Sequence, residues 1–320
     1  MPFESRGLLA IDRQTRRALF LDPDTFDVTF DVSQAVDVIP TRLHELLMLA
    51  PWEKAFLPLY GDDMQGDAPH PGHKVAVIDL RQRAINDYID LSPSQAPHSG
   101  QLGRDGKVYL CCENPTVVVV IDPLTHRVEK TIPIPLDNTH RLTLSPSGRK
   151  LFTDNEQDAT ITVVDLCEAE GRVIDTILMP GPVSGLTASP RHPYLIASAA
   201  DVPLLYVVDR QSHRIRQRLA LPGHQQPCQK VRFSPDGEYL MAIGHQEPIV
   251  TLFDELLNPL GHIALTHQPL DGCFSPDKKR LLITHDDNRT LSVIDLVQKT
   301  VLATTEVGAG YETLSYFQIG

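Results

Sequence analysis

The stretch Val118-Val119-Val120-Ile121-Asp122, a short apolar run that ends in aspartate, is repeated along the chain. Six variants follow the same pattern: Ala18-Leu19-Phe20-Leu21-Asp22, Val75-Ala76-Val77-Ile78-Asp79, Thr162-Val163-Val164-Asp165, Tyr206-Val207-Val208-Asp209, Thr251-Leu252-Phe253-Asp254 and Ser292-Val293-Ile294-Asp295. Consecutive aspartates are 41 to 57 residues apart. A period of about 40 to 50 residues is typical of propeller blades, each of which is a small sheet of four strands.

A second marker lies between these aspartates and predicts a tight turn. Its copies are Ser145-Pro146-Ser147-Gly148, Ser189-Pro190-Arg191-His192, Ser234-Pro235-Asp236-Gly237 and Ser275-Pro276-Asp277-Lys278, with weaker variants at residues 50–53 and 103–106. Proline sets φ for the turn, and serine and aspartate side chains accept hydrogen bonds from nearby backbone amides. The turn therefore joins two strands of a hairpin, and each repeat contains four short strands.

Seven aspartate markers predict an all-β fold in which the 320 residues form one domain, a seven-bladed β-propeller. The first repeat lacks a hairpin strand before Asp22, whereas the strand pattern at residues 311–317 follows the last repeat without a blade of its own. We expect this C-terminal strand to be the innermost strand of the first blade and to close the ring. The alternative is an open array, but neither end resembles a capping repeat.

The repeats ending at Asp122 and Asp295, together with the turn ending at Gly237, resemble the YVTN-type repeats of bacterial propellers. That group includes surface-layer-like and lactonase-like proteins, and the resemblance covers nearly the whole chain. It implies the fold much more strongly than a function, because propellers serve as enzymes and as scaffolds.

Histidines recur at one position of the repeat, five residues before the turn, where the innermost strand of a blade begins. His98 and His140 occupy this position on adjacent blades, and His44-Glu45 lies beside it on the blade before them. Loops that enter the blades gather at one mouth of the central tunnel, so these side chains should converge there. Within the YVTN group, a subset has similar motifs at these places, which implies a ligand set of His44, His98 and His140.

Three converging imidazoles would bind a divalent transition metal, zinc, copper or iron, with one coordination position left open. The alternative is that each histidine is a separate residue of the mouth, bonded to a carbonyl group or to water. Glu113, at the end of the next strand, is a candidate general base or additional ligand. Arg141 is a candidate for binding a substrate carboxylate, or for pairing with a neighbouring aspartate. No separate organic cofactor site is indicated.

The longest interval between markers, from Asp22 to Asp79, contains an insertion at residues 61–73 that is rich in glycine, proline and aspartate. The strand order assigns it to the face that carries the histidines. Loops of this length without secondary structure are usually functional, so the insertion is a candidate lid or cation-binding loop. The alternative is a loop without a role.

The net charge of −12, from 41 acidic and 29 basic residues, argues against nucleic acid and anionic membranes as partners. No apolar stretch is long enough to span a membrane, and the first residues lack the pattern of a secretory signal. We therefore expect a cytoplasmic protein, although a mature exported chain would look the same. The five cysteines lack metal-site spacing, which favours reduced packing residues.

Two classes of function remain open. The first is a small-molecule hydrolase, lyase or isomerase, lactonase-like by resemblance, with a ligand in the central tunnel and a metal that polarises a carbonyl or activates water. The second is a non-catalytic propeller that binds a protein partner through its acidic upper face.

Overall fold

The computed structural model describes residues 6–12, 15–33, 42–43, 45–61, 70–137, 139–155, 158–168, 170–244, 246–285, 289–307 and 311–320. These residues form seven antiparallel sheets, one for each repeat, which confirms the predicted seven-bladed propeller. Among them, no helix has the length and apolarity needed to cross a membrane.

The strands, numbered along the chain, divide into blades as follows. Blade 1 contains β1 (Arg6–Asp12), β2 (Arg17–Leu21) and β3 (Val28–Ser33), and blade 2 contains β4 (Arg42–Leu43), β5 (Leu47–Leu49), β6 (Lys54–Gly61), β7 (Pro71–Asp79) and β8 (Ala84–Asp90). Blade 3 contains β9 (Gln95–Leu102), β10 (Val108–Asn114), β11 (Thr116–Asp122) and β12 (Arg127–Pro133), and blade 4 contains β13 (Thr139–Leu144), β14 (Lys150–Asn155), β15 (Thr160–Asp165) and β16 (Arg172–Leu178).

Blade 5 contains β17 (Val183–Ala188), β18 (Tyr194–Ala199), β19 (Leu204–Asp209) and β20 (Ile215–Ala220), and blade 6 contains β21 (Cys228–Phe233), β22 (Tyr239–Gly244), β23 (Ile249–Asp254) and β24 (Pro259–Ala264). Blade 7 contains β25 (Pro269–Phe274), β26 (Arg280–His285), β27 (Thr290–Asp295) and β28 (Thr300–Glu306), and the last strand is β29 (Tyr311–Gln318). A short 3₁₀ helix, Ala50–Trp52, forms the hairpin turn of blade 2.

The two sequence markers recur because each makes the same local hydrogen bonds. Asp122 ends the third strand of its blade, and its Oδ1 accepts bonds from the backbone amides of Leu124 and Thr125. In the Ser-Pro turn, Ser234 Oγ accepts a bond from the amide of Tyr239. A short polar side chain at each turn thus replaces backbone partners that the reversal removes.

The C-terminal strand closes the ring, as predicted. Strand β29 pairs antiparallel with β1 and becomes the innermost strand of blade 1. Its side chains Tyr311, Leu314 and Phe317 are buried. Closure of this kind removes the exposed sheet edges that the two ends of an open array would present.

The core is divided among the interfaces between blades. Seven apolar clusters are found, and each joins two neighbouring blades, including one that joins blade 7 to blade 1. The packing prediction for the cysteines is correct for Cys111, Cys112, Cys228 and Cys273, which are buried, and wrong for Cys167, which is exposed. Cys167 lies in the polar turn after the marker Asp165, and its backbone amide bonds the carboxylate of that residue.

Two interfaces carry an additional polar clamp. Lys54 and Asp87 of blade 2 bond the two ring nitrogens of His126 from blade 3, at 2.8 and 2.6 Å. Lys150 and Asp175 of blade 4 bond His213 of blade 5 in the same way. In each clamp Nε2 of the imidazole contacts the lysine and Nδ1 contacts the aspartate, so the ring joins the two blades.

Candidate metal centre at the tunnel mouth

The innermost strands define the two ends of the central tunnel. Each of these strands begins at the end that we call the upper mouth, and the Ser-Pro turns lie at the opposite end, the lower mouth. Because the second strand of each blade is antiparallel to the first, its last residues return to the upper mouth, as Asn114 does opposite Gln95.

A β-bulge interrupts the innermost strand near its start. The pairing between first and second strands slips by one residue at His98 in blade 3 and at His140 in blade 4. The same slip recurs in blades 5, 6 and 7. A bulge changes the direction in which a side chain points. The repeat position of His98 and His140 is therefore also one where the backbone changes the direction of the side chain.

His98, Glu113 and His140 come together at the upper mouth, and we call them the His–Glu cluster. One potential ligand atom from each lies within 4.8 Å of those from the other two. The two imidazole rings are 4.2 Å apart between centroids. His98 is buried, whereas Glu113 and His140 are half-buried.

Tyr60 orients this cluster from blade 2. Its hydroxyl donates a hydrogen bond of 2.6 Å to Glu113 Oε2. Its ring contacts His98 edge-on, with 5.7 Å between centroids. Because Tyr60 is fully buried, it restricts the positions that the carboxylate and the imidazole can take.

The donor set suits a divalent transition metal. Two imidazoles and one carboxylate form the protein ligand set of many catalytic zinc sites, and iron uses the same three groups. Ligand atoms on one zinc ion lie about 3.3 Å apart, given bond lengths of about 2.0 to 2.1 Å. Small side-chain rotations would therefore bring all three groups onto one ion.

Arg141, the residue after His140, extends across the tunnel. Its Nη1 lies 3.9 Å from Glu45 Oε1 of blade 2, and the two side chains are each 16% exposed. Its backbone amide donates a 2.6 Å bond to Asp154 Oδ1, and Asp154 is completely buried. The Arg141 side chain is thus mostly buried, and within the described residues Glu45 is the carboxylate that lies nearest to its guanidinium.

Two sequence predictions fall wholly or partly outside the described residues. His44, the third predicted ligand, is one of the residues outside them. Of the predicted insertion, Gly61 ends strand β6 and residues 71–73 begin strand β7, while residues 62–69 also lie outside. The backbones of the two strands approach so closely that a Cβ at Gly72 would meet the carbonyl oxygen of Leu59.

Tyr60 was not identified from the sequence, although a signal for it exists. Counting ten residues from the first residue of the hairpin turn gives Tyr60 in blade 2 and Glu113 in blade 3. This position ends the second strand, so it meets the residue five before the turn at the upper mouth. A comparison of both positions across all blades would have identified all members of the His–Glu cluster together with Tyr60.

Comparisons with known proteins establish the fold alone. No family model and no curated protein matches the chain. A functionally unknown protein from Desulfotomaculum acetoxidans is similar in structure, with 13% identity, coverage of 98% of this chain and 99% of the other, and a TM-score of 0.76. Hydrazine synthase of Kuenenia stuttgartiensis shares 15% identity over 90% of this chain and 98% of the other, with a TM-score of 0.71.

The β-propeller domain of Cps50 (Swd1) from Myceliophteria thermophila is also similar, at 12% identity over 84% of this chain and 90% of that domain, with a TM-score of 0.69. These proteins include both an enzyme and a protein named as a propeller domain. The likeness therefore supports the seven-bladed architecture and leaves function to the residues of the site.

Proposed function

We propose that the protein is a metal-dependent hydrolase of small carboxylate-bearing molecules, with its metal bound at the upper mouth by His98, Glu113 and His140. The observation that carries this proposal is the convergence of three ligand atoms from two blades on one point. The lactonase-like resemblance of the repeats agrees with hydrolysis, and lyase or isomerase chemistry could use the same metal.

A bound divalent ion would supply a polarised carbonyl or an activated water molecule. The chain's own part is to hold the ion and to orient its ligands. Tyr60 keeps one oxygen of Glu113 occupied, which fixes the direction in which the carboxylate presents the other. The His98 side chain is buried among protein atoms, which limits the access of water on that side.

Arg141 would bind the anionic group of the substrate. A guanidinium matches a carboxylate with two parallel hydrogen bonds, and Glu45, at 3.9 Å, competes only weakly for it. A substrate bound in this way would reach from Arg141 towards the His–Glu cluster, where a bound divalent ion would polarise its carbonyl.

The alternative function is a scaffold that binds a protein partner and performs no catalysis. One structural neighbour is a chain from a mitotic checkpoint complex, with 14% identity over 82% of this chain and 76% of the other, and a TM-score of 0.65. A scaffold has no need for three metal-binding groups at one mouth. Metal binding and turnover, measured together, therefore distinguish the two functions.

We expect the purified protein to bind one equivalent of Zn²⁺ in competition with a chromophoric chelator. The double variant His98→Ala, His140→Ala should lose at least about 100-fold in affinity, because it removes two of three ligands. Tyr60→Phe should lose about tenfold, a typical effect for a group that orients a ligand. A matched control, His192→Ala with His262→Ala, removes two histidines away from the cluster and should bind as the wild type does.

The catalytic part of the proposal is tested with a panel of lactones and esters, whose hydrolysis is monitored through the acid that it releases. We expect turnover that a chelator abolishes, that added zinc restores and that the double variant lacks. If the double variant binds zinc as tightly as the wild type, the metal proposal is wrong. If zinc binds at the cluster but no substrate is turned over, the scaffold function is favoured.

A further inference from the structure

A cavity of about 600 Å³ opens at the lower mouth, away from the His–Glu cluster. Residues of blades 1, 2, 3, 6 and 7 line it, so it lies across the axis of the ring. Its volume falls within the range of about 300 to 1,000 Å³ that small-molecule sites occupy. It is thus large enough for a ligand of about the size of a two-ring aromatic compound.

Arg232 lines this cavity and belongs to a group of three charged residues in contact with one another. Asp271 of blade 7 lies 3.2 Å from Arg232 and 3.5 Å from Lys230, both of blade 6. Asp271 is fully buried and Lys230 is 4% exposed, whereas the Arg232 side chain is 37% exposed and lines the cavity. Two cations therefore share Asp271, and Arg232 is the one of them that reaches the cavity.

Other carboxylates also face the cavity. Asp236 is paired with Lys278, which also lies 3.5 Å from Glu238. Glu45 lines the cavity, lies 3.9 Å from Arg141 and is close enough to Arg232 to interact with its charge. Arg141, Lys230 and Arg232 thus share Asp271 and Glu45, so three cations face two carboxylates, and Arg232 is the cation that lines the cavity. A single negative charge brought to Arg232 would be attracted more strongly here than in water.

The cavity wall suits the uncharged, apolar part of an anionic ligand. Aromatic side chains of three blades contribute to it: Tyr239, Phe274 and Tyr316. The rings of Tyr239 and Phe274 are nearly parallel, 21° apart, with centroids separated by 6.4 Å. Flat aromatic surfaces with one polar group at the end are typical of sites for small apolar anions.

We propose that the lower-mouth cavity is a second ligand site, which binds a small monoanion with an aromatic body and places the anionic group at Arg232. This site is separate from the proposed metal centre, because none of its lining residues belongs to the His–Glu cluster. It does not depend on the protein being a hydrolase.

The test uses a matched pair of probes, 2-naphthoate and the neutral 2-naphthamide, titrated by calorimetry. We expect one naphthoate per chain, bound at least tenfold more tightly than naphthamide. Arg232→Met should remove this tenfold preference. The variant is expected to fold, because Lys230 and Asp271 remain as a balanced pair. Arg216→Met, which removes an exposed arginine paired with Asp209, is the control and should bind as the wild type does.

Two further variants keep the test decisive. Ser315→Trp should fill part of the cavity and weaken both probes, and it serves if Arg232→Met does not fold. The double variant His98→Ala, His140→Ala should leave naphthoate affinity unchanged. The proposal is overturned if wild type does not bind naphthoate at millimolar concentration, if the two probes bind equally, or if Arg141→Met rather than Arg232→Met abolishes the preference. The variant His98→Ala, His140→Ala separates the two sites. A negative result with naphthoate therefore does not contradict the proposed metal centre.

Discussion

A chain that ends at residue 310 should lose about 6 to 12 kcal/mol of folding free energy and fail to form a stable ring. Residues 311–320 supply four large buried side chains, namely Tyr311, Leu314, Phe317 and Ile319. Each contributes about 1.5 to 3 kcal/mol through burial. A typical domain has about 5 to 15 kcal/mol in total, so this loss removes most or all of the stability. Chemical denaturation and size-exclusion chromatography provide the measurement.

The missing strand can be supplied separately as a control. A synthetic peptide of residues 311–320 should bind the truncated chain and restore its melting temperature, because the peptide carries all the lost contacts with β1. A truncated protein that remains monomeric and melts within a few degrees of the full chain would contradict closure by this strand.

Replacing Asp271 by alanine should destabilise the protein by about 3 to 5 kcal/mol, the usual cost of removing one partner from a buried ion pair. The carboxylate also accepts a 2.6 Å hydrogen bond from Thr313, so it joins blade 7 to the closing strand. Asp31→Ala is the control, because it breaks the exposed pair with Arg17 and should cost less than about 1 kcal/mol. Chemical denaturation measures the free energy of unfolding of both variants. Similar losses in Asp271→Ala and Asp31→Ala would show that the ion pairs of Asp271 do not stabilise the fold.

The effect of Asp271 should depend on pH in a defined direction. Burial alone would raise the pKa of Asp271, but the charges of Arg232 and Lys230 outweigh it and lower the pKa to about 2. A carboxyl with a lowered pKa stabilises the folded state above its unfolded pKa of about 3.9, and this contribution is lost as pH falls through the folded pKa. The difference in stability between wild type and Asp271→Ala should therefore be constant above pH 5 and decrease between about pH 4 and 2.

The fold could be predicted because its determinants are local and repeated. Asp122 and Ser234 each bond amides within five residues, so the same residue types must recur wherever the same turn recurs. Closure was predictable for a related reason. The first repeat lacks one strand, the end of the chain has one strand too many, and only pairing β29 with β1 resolves both.

The candidate site was predictable only in part. His98, His140 and Glu113 stand at fixed positions of the repeat, so their approach at the upper mouth follows from the ring. Whether they approach to within ligand distance depends on the bulge at His98 and at His140, and bulges leave no mark in the residue pattern.

The ion pairs around the tunnel could not be predicted from the residue pattern. Lys230 and Asp271 stand at the same repeat position of adjacent blades, four residues before the serine of the Ser-Pro turn, whereas Arg141 and Glu45 belong to blades 4 and 2. The repeat places these residues near the axis, but it does not say which of them pair. Each pairing depends on the length and direction of individual side chains at the axis, which only the assembled ring determines.

The most direct test of the metal centre is a crystal structure with diffraction data collected on both sides of the zinc absorption edge, from protein loaded with one equivalent of Zn²⁺. We expect one strong anomalous peak at the upper mouth, about 2.0 to 2.2 Å from an imidazole nitrogen of His98, an imidazole nitrogen of His140 and a carboxylate oxygen of Glu113. A peak at any other place, or the absence of a peak at the His–Glu cluster in loaded crystals, would contradict the account.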